Sequence, residues 1–303
     1  MKKDLLSCAD LTHDDFVKLM ELSAKIKRER GTPEAAKPLA GKSIGLIFAK
    51  ASTRTRVSFE IGVQELGGYP IYLESGKTQM GRGETIPDTA KVLERYLHGI
   101  VIRTFAQADV EGLAANSKYP VINALTDDYH PCQVLTDVFT MLEYKGKLEG
   151  LKLAYLGDGA SNMANSLMLV CQLAGIDIAI GAPEEYRPSQ KIMDRNLGPG
   201  KCSWTTDPYE AVKDADFIYT DVWVSMGFEE EAKERIKVLK PYQLDMAKLK
   251  AAKPDAKVMH CLPAHRGDEI TDEVMDCDQS IVFDEAENRL HVQKAIMTML
   301  MGN

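Results

Sequence analysis

The chain has 303 residues, 45% of them hydrophobic and 27% charged, an ordinary globular composition long enough for two full-sized cores. A formal net charge of −8 leaves no basic field for nucleic acid or an anionic membrane, so an anionic ligand needs a local cluster. Six cysteines without a CxxC pair favour free thiols in a reducing cytoplasm over a disulfide framework.

The opening stretch MKKDLLSCADLTHDD meets acidic residues before any long apolar region, which does not read as a signal peptide. Thr12 and Asp15 have capping-box spacing, and Phe16, Leu19, Met20, Leu22 and Ile26 form one helical stripe over 12–29. SIGLIFA (43–49) reads as a buried strand, and RVSFEIGVQEL (56–66) as a helix ended by Gly67 and Gly68. Further strands are expected at 69–73, 99–105, 120–125, 151–157, 177–181, 216–223, 257–262 and 280–284, with helical patterns between most of them. A helix starting near Pro131 ends in the polar stretch YKGKLEGLK, and a last helix covers about 285–301. No apolar run is long enough to span a bilayer.

Continuous apolar strands separated by helices imply parallel sheets covered on both faces. The expected fold is α/β, with two doubly wound parallel-sheet domains joined by interdomain helices. The first domain spans 1–133, with the C-terminal helix 285–303 packing back onto it, and the second spans 147–284. Ligands of such sheets sit beyond the carboxyl ends of the strands. There the sequence places STRTR, Arg103-Thr104, GDGASN, DVWVSMG and HCLPAHRG, which one shared cleft would collect.

In KASTRTRVSFE (50–60), Ser52 or Thr53 is placed to cap a helix whose free N–H groups and dipole favour an anion. Arg54 and Arg56 lie two apart on a helix start and cannot point the same way, so one faces a ligand while the other ties down structure. Hydroxyls and arginines at a strand-to-helix turn describe a phosphate cradle; the bland alternative is an ordinary capped helix. A P-loop does not fit, because Ala36 stands where its first glycine belongs and the GKS at 41–43 precedes the strand. LGDGASN supplies Gly157 and Gly159 after a strand but Asn162 in place of the third glycine, which keeps an NAD-dependent dehydrogenase as the rival.

In YHPCQVLTD, His130 precedes Pro131 at a helix N-terminus, where the dipole disfavours the imidazolium; a neutral donor to a carbonyl competes with a satisfied loop histidine. His260, Cys261 and His265 in HCLPAHRG lack a further Cys/His pair at zinc spacing, so no metal is expected. Cys261 is open to a covalent role or a buried structural one. Asp221 in DVWVSMG could bind an amine, and TQMGRGE (78–84) adds Gln79 and Arg82 in a polar glycine loop.

STRTRVSFE, HPCQ, DVWVSMG and HCLPAHRG, in this order, resemble the transcarbamylase family over essentially the whole chain, and most closely its ornithine carbamoyltransferases. The resemblance implies a first domain that binds carbamoyl phosphate, a second that binds L-ornithine, and a homotrimer or multiple of trimers acting in arginine metabolism without metal or organic cofactor. It assigns Ser52, Thr53, Arg54 and Thr55 to the phosphate, with Arg289 completing the anion site. Arg103, His130 and Gln133 within HPCQ, flanked by Pro131 and Cys132, go to the carbamoyl group. Gln79 matches the residue that reaches into a neighbouring subunit's site. Asn162, Asp221, Ser225 and Met226 would grip ornithine, with Cys261 and Leu262 beside the reacting amine. Asn165 competes with Asn162, and spacing favours Asn162. An acceptor other than ornithine is the alternative within the family.

Overall fold

The computed structural model describes residues 1–74, 76, 83–224 and 232–302. The chain divides into two compact units, one of Met1–Phe139 together with the residues from Glu287 onward, the other Thr140–Ala286.

In the first unit, β1 (Ser43–Phe48), β2 (Tyr69–Glu74), β3 (Gly99–Arg103) and β4 (Val121–Leu125) pair in the order β2-β1-β3-β4. All of these pairings are parallel. The helices are α1 (His13–Glu29), α2 (Thr53–Glu65), α3 (Ile86–Leu93), α4 (Gln107–Asn116) and the start of α5 (Pro131–Lys145). In β1, Ile44, Leu46, Ile47 and Phe48 are buried regardless of alternation, as expected of a strand covered on both faces. Edge strand β2 alternates instead, with Tyr69 and Ile71 exposed. The expected capping box is present: the Thr12 side chain accepts from the Asp15 amide, the Asp15 carboxylate accepts from the Thr12 amide, and Phe16, Leu19 and Met20 are buried.

In the second unit, β5 (Lys152–Leu156), β6 (Asp177–Gly181), β7 (Cys202–Thr205), β8 (Phe217–Thr220) and β9 (Lys257–Met259) form a parallel sheet in the order β7-β6-β5-β8-β9. Around it lie α6 (Asn162–Ala174), α7 (Gln190–Met193), α8 (Pro208–Val212), α9 (Ala232–Leu239), α10 (Met246–Ala251) and α11 (Asp272–Met275). The chain ends in α12 (Val282–Met301), so the unit boundaries fall inside α5 and α12. Strand order reverses between β1 and β3 in one sheet and between β5 and β8 in the other, and such switch points open a crevice at the strands' carboxyl ends.

Two expectations are corrected. The stretch 280–284 is not a strand: Ser280 makes only an isolated bridge to Val258, and Val282 already opens α12. Asp284 and Glu285 occupy that helix's first turn, where carboxylates complement the dipole, and a run of three apolar residues is too short to outweigh this. β7 was not expected; CSWT is four residues long and half-exposed at the sheet edge, so it carries no apolar run.

Candidate active site

The first unit builds its part of the site on the N-terminus of α2. Ser52 is the N-cap and its hydroxyl accepts from the Thr55 amide at 3.3 Å, so the expected cap is Ser52 rather than Thr53, which is the first helical residue. The first turn carries no acidic residue, so its dipole faces no carboxylate of its own. Thr55 is buried, and its hydroxyl oxygen accepts from Arg289 Nη2 at 2.9 Å, which brings α12 to the same turn. Arg54 and Arg56 divide as their spacing demands. Arg56 donates to Glu60 at 2.9 Å and stacks on Tyr72, 3.7 Å from the ring centre. Arg54, half-buried, keeps a buried Nε–H that has no partner among the described residues.

Arg103 ends β3, and Pro131 takes the first position of α5, directly after His130. His130 is only 4% exposed. Burial, and after it the charges of Arg289 and Arg103, hold its imidazole well below the usual histidine range, so it is neutral. Gln133 is buried one turn on and donates its amide to Asp137 at 2.8 Å, which fixes its orientation. Cys132 points its thiol at the Asn123 carbonyl, 3.4 Å away, and burial pushes its pKa up to about 12. That thiol is a packed hydrophobe at neutral pH, not a nucleophile. Gln79 lies outside the described residues.

In the second unit, Asn162 opens α6 behind the cap Ser161, whose hydroxyl accepts from the Ala164 amide at 3.1 Å. Asn165 sits one turn further along the same helix. Asp221, just beyond β8, is buried; burial raises its pKa, partly opposed by His260, by the Cys261 thiol and by the Val222 amide. Cys261 Sγ donates to Asp221 Oδ1 at 3.1 Å, so these two expected site residues meet directly. Tyr155 links them to α6: its hydroxyl lies 3.1 Å from Ser161 Oγ, and after burial the charges of Asp221 and Asp158 raise its pKa. Ser225 and Met226 lie outside the described residues.

The HCLP turn is held from beneath. The Leu262 amide donates to His260 Nδ1 at 2.9 Å, which leaves Nε2 carrying the proton toward Glu269 at 3.0 Å. Leu262 itself sits at φ +58°, a region that side-chain-bearing residues rarely adopt. Asp221, His260 and Cys261 place one ligand atom each within 4.8 Å of one another. Both nitrogens of His260 are engaged by Leu262 and Glu269, so the trio is a hydrogen-bonded constellation rather than an open ligand set.

The Gly157–Gly159 turn does not offer the backbone that a dinucleotide pyrophosphate needs. A Cβ on Gly159 would lie 2.8 Å from the Tyr186 carbonyl oxygen, so that glycine packs against protein. Asp158 Oδ1 accepts from the Ala160 amide at 2.9 Å and its other oxygen pairs with Arg235, which fills the turn with a carboxylate. The Ala160 amide is thus spent on protein and is not left for an anion.

Three supporting groups escape the sequence. Asp137 is legible as an i, i+4 partner of Gln133 once that residue is assigned. Arg235 reaches Asp158 from far along the chain, and Glu269 meets His260 from within the same loop at a spacing that follows no helical or strand period.

Known proteins bear on the same two units. Residues 3–143 match the model for the carbamoyl-P binding domain of aspartate/ornithine carbamoyltransferase, and residues 149–300 the model for its Asp/Orn binding domain. An ornithine carbamoyltransferase of Methanoculleus marisnigri is 51% identical over 303 residues, covering 100% of this chain and 98% of that protein. One of Syntrophus aciditrophicus is 50% identical over 303 residues, covering 99% and 100%. Among solved structures, the ornithine carbamoyltransferase from Pyrococcus furiosus superposes with a TM-score of 0.94 at 46% identity, covering 99% of this chain and 97% of that one. With both halves matched in order and along the full length, the chain belongs to the aspartate/ornithine carbamoyltransferase family.

Proposed function

We propose that the protein is an ornithine carbamoyltransferase, moving the carbamoyl group of carbamoyl phosphate to the δ-amine of L-ornithine and releasing L-citrulline and phosphate. The observation that carries this reading is the likeness to ornithine carbamoyltransferases at about half of all positions over the whole chain.

In this reading the α2 N-terminus, Ser52, Thr53, Arg54, Thr55 and Arg289 hold the phosphate dianion and stabilise it as it leaves. Arg103 and His130, with Thr55, donate to the carbonyl oxygen as the δ-amine attacks and a tetrahedral centre forms. A neutral imidazole is a donor that does not have to lose a proton, and fixed donors of this kind stabilise the oxyanion without covalent catalysis. Gln133, oriented by Asp137, holds the carbamoyl amide, and Gln79 completes a neighbouring subunit's site. Asp221 pairs with the α-ammonium, while Asn162, Ser225 and Met226 grip the rest of the amino acid. Cys261 and Leu262 orient the attacking nitrogen. The Cys261 hydrogen bond to Asp221 supports a thiol that serves as a donor rather than a nucleophile.

No helix among the described residues is long and apolar enough to cross a membrane. We place the enzyme in the cytoplasm as a homotrimer or a multiple of trimers. Purified protein with carbamoyl phosphate and L-ornithine should yield citrulline and phosphate in equal amounts, and L-aspartate in place of ornithine should yield no carbamoylaspartate. Carbamoylation of aspartate but not of ornithine would overturn the assignment. Sedimentation should show a species of three chains or a multiple of three.

A further inference from the structure

We infer that Arg235 and Asp158 form a positioning pair that fixes the spacing of the two strand-end turns of the second unit and thereby sets affinity for the amino-acid acceptor. This rests on the assignment of Asn162 and Asp221 to ornithine. Those two residues leave the sheet from different strands: Asn162 follows the turn after β5, and Asp221 the end of β8. β5 and β8 are neighbours at the point where the strand order reverses. Backbone pairing stops at the strand ends, so something else must hold the two turns in register.

Arg235, on α9, bridges them. Its Nε–H donates to the Trp223 carbonyl at 2.8 Å, two residues beyond Asp221. Its Nη2 pairs with Asp158 Oδ2, four residues before Asn162. Asp158 spends its other oxygen on the Ala160 amide, which fixes the turn leading to the α6 cap. The guanidinium lies 4.6 Å from the Tyr186 ring centre, and both charged residues are buried. On the opposite side Trp223 packs over Gly157, where a Cβ would lie 3.4 Å from the indole nitrogen. Gly157 adopts φ +136°, a backbone conformation that demands glycine.

A planar guanidinium can satisfy two acceptors in fixed directions; an ammonium cannot. Removing either partner leaves a buried charge and frees the two turns to drift. The phosphate residues belong to the other unit and are not tied to this bridge, so the two substrates should respond differently.

The test uses the full-length enzyme and the variants Arg235→Gln, Asp158→Asn, the double variant and Arg235→Lys. Unfolding midpoints establish which of them fold. In the single variants, KM for ornithine should rise roughly tenfold or more, while KM for carbamoyl phosphate stays within about twofold, as expected for coupling confined to one network. The double variant should be no worse than the poorer single one, and Arg235→Lys should fall between wild type and Arg235→Gln. An unchanged KM for ornithine in the folded variants, or an equal rise for both substrates, would overturn the pairing role. If Arg235→Gln does not fold, Asp158→Asn and Arg235→Lys give the same reading. Absence of citrulline with the wild-type enzyme would sink the proposed function itself, whereas an active wild type with insensitive variants sinks only the pair.

Discussion

Arg54 and Arg56 are two residues apart in one motif and have different fates. Arg56 spends its guanidinium on Glu60 and Tyr72, whereas Arg54 holds a buried Nε–H with no partner among the described residues. A buried donor without a partner costs free energy that a bound anion would recover. Arg54→Ala should therefore weaken carbamoyl phosphate binding by about one to two decades, from a charge-assisted bond worth roughly 1.5–3 kcal/mol. Wild-type affinity in the folded variant would refute the cradle. The cysteines divide in the same manner. Cys132, pushed up to about 12 by burial, is inert, while Cys261 donates to Asp221. Cys261→Ser keeps a donor there, so turnover should remain measurable and mass spectrometry should trap no carbamoylated enzyme. A trapped adduct on the wild type would replace orientation with covalent catalysis. The STRTR spacing made the division of the arginines legible, since two residues on a helix start diverge by about 200° at 3.6 residues per turn. Which arginine turns inward depended on Glu60 and Tyr72. The Glu60 partner is visible at i, i+4, and the Tyr72 partner only in the fold.

The phosphate site is a property of α2 as an element as much as of any side chain. Its N-cap is a neutral serine and its first turn has no acid, which leaves the positive end of the dipole for a ligand. Ser52→Asp separates the two roles of that position. Aspartate caps as well as serine, so the unfolding midpoint should stay close to wild type. A carboxylate about 4 Å from the phosphate repels it by roughly 1–4 kcal/mol between water and a partly buried setting, so affinity should fall by about one to three decades. A loss of stability would contradict the cap, and unchanged affinity would place the phosphate elsewhere. The elements themselves were readable because β1, β3, β5 and β8 are continuous apolar runs and α1 opens on a capping box. The failures are short: SIVFD holds only three apolar residues in a row and is pulled into α12 by its acidic first turn, and CSWT has too little apolar surface to announce β7. The Asp158–Arg235 pair was illegible because its residues stand 77 apart in sequence, and the His260–Glu269 pair because a separation of nine within a loop follows no helical or strand period.

At the scale of the whole molecule, pH dependence separates the substrate's chemistry from the protein's. The folded chain keeps His130 neutral while the unfolded chain protonates it near pH 6.5. Below that value the unfolded state binds the extra proton, so this residue's contribution to stability falls as the medium becomes acid and is complete above it. Through pH 6 to 8, therefore, the carbonyl donor does not titrate in the folded enzyme. Asp221 is raised by burial, so its ionisation, needed for the α-ammonium, is lost on the acid side and steepens any decline there. What changes between neutral and alkaline pH is ornithine. Its δ-amine resembles that of lysine, with a pKa near ~10.4, so only about 0.04% is neutral at pH 7. Attack on the carbamoyl carbon needs that neutral form, and among the described site residues His130 is committed to the carbonyl and Asp221 to the α-ammonium. With carbamoyl phosphate saturating, kcat/KM for ornithine should climb about tenfold per pH unit across neutrality and level only where enzyme groups or the α-amine titrate. Initial rates over a pH series measure this directly. A flat profile from pH 6 to 8 would mean that the neutral amine does not limit the reaction, and an acceptor with a much lower amine pKa would then be the first to try.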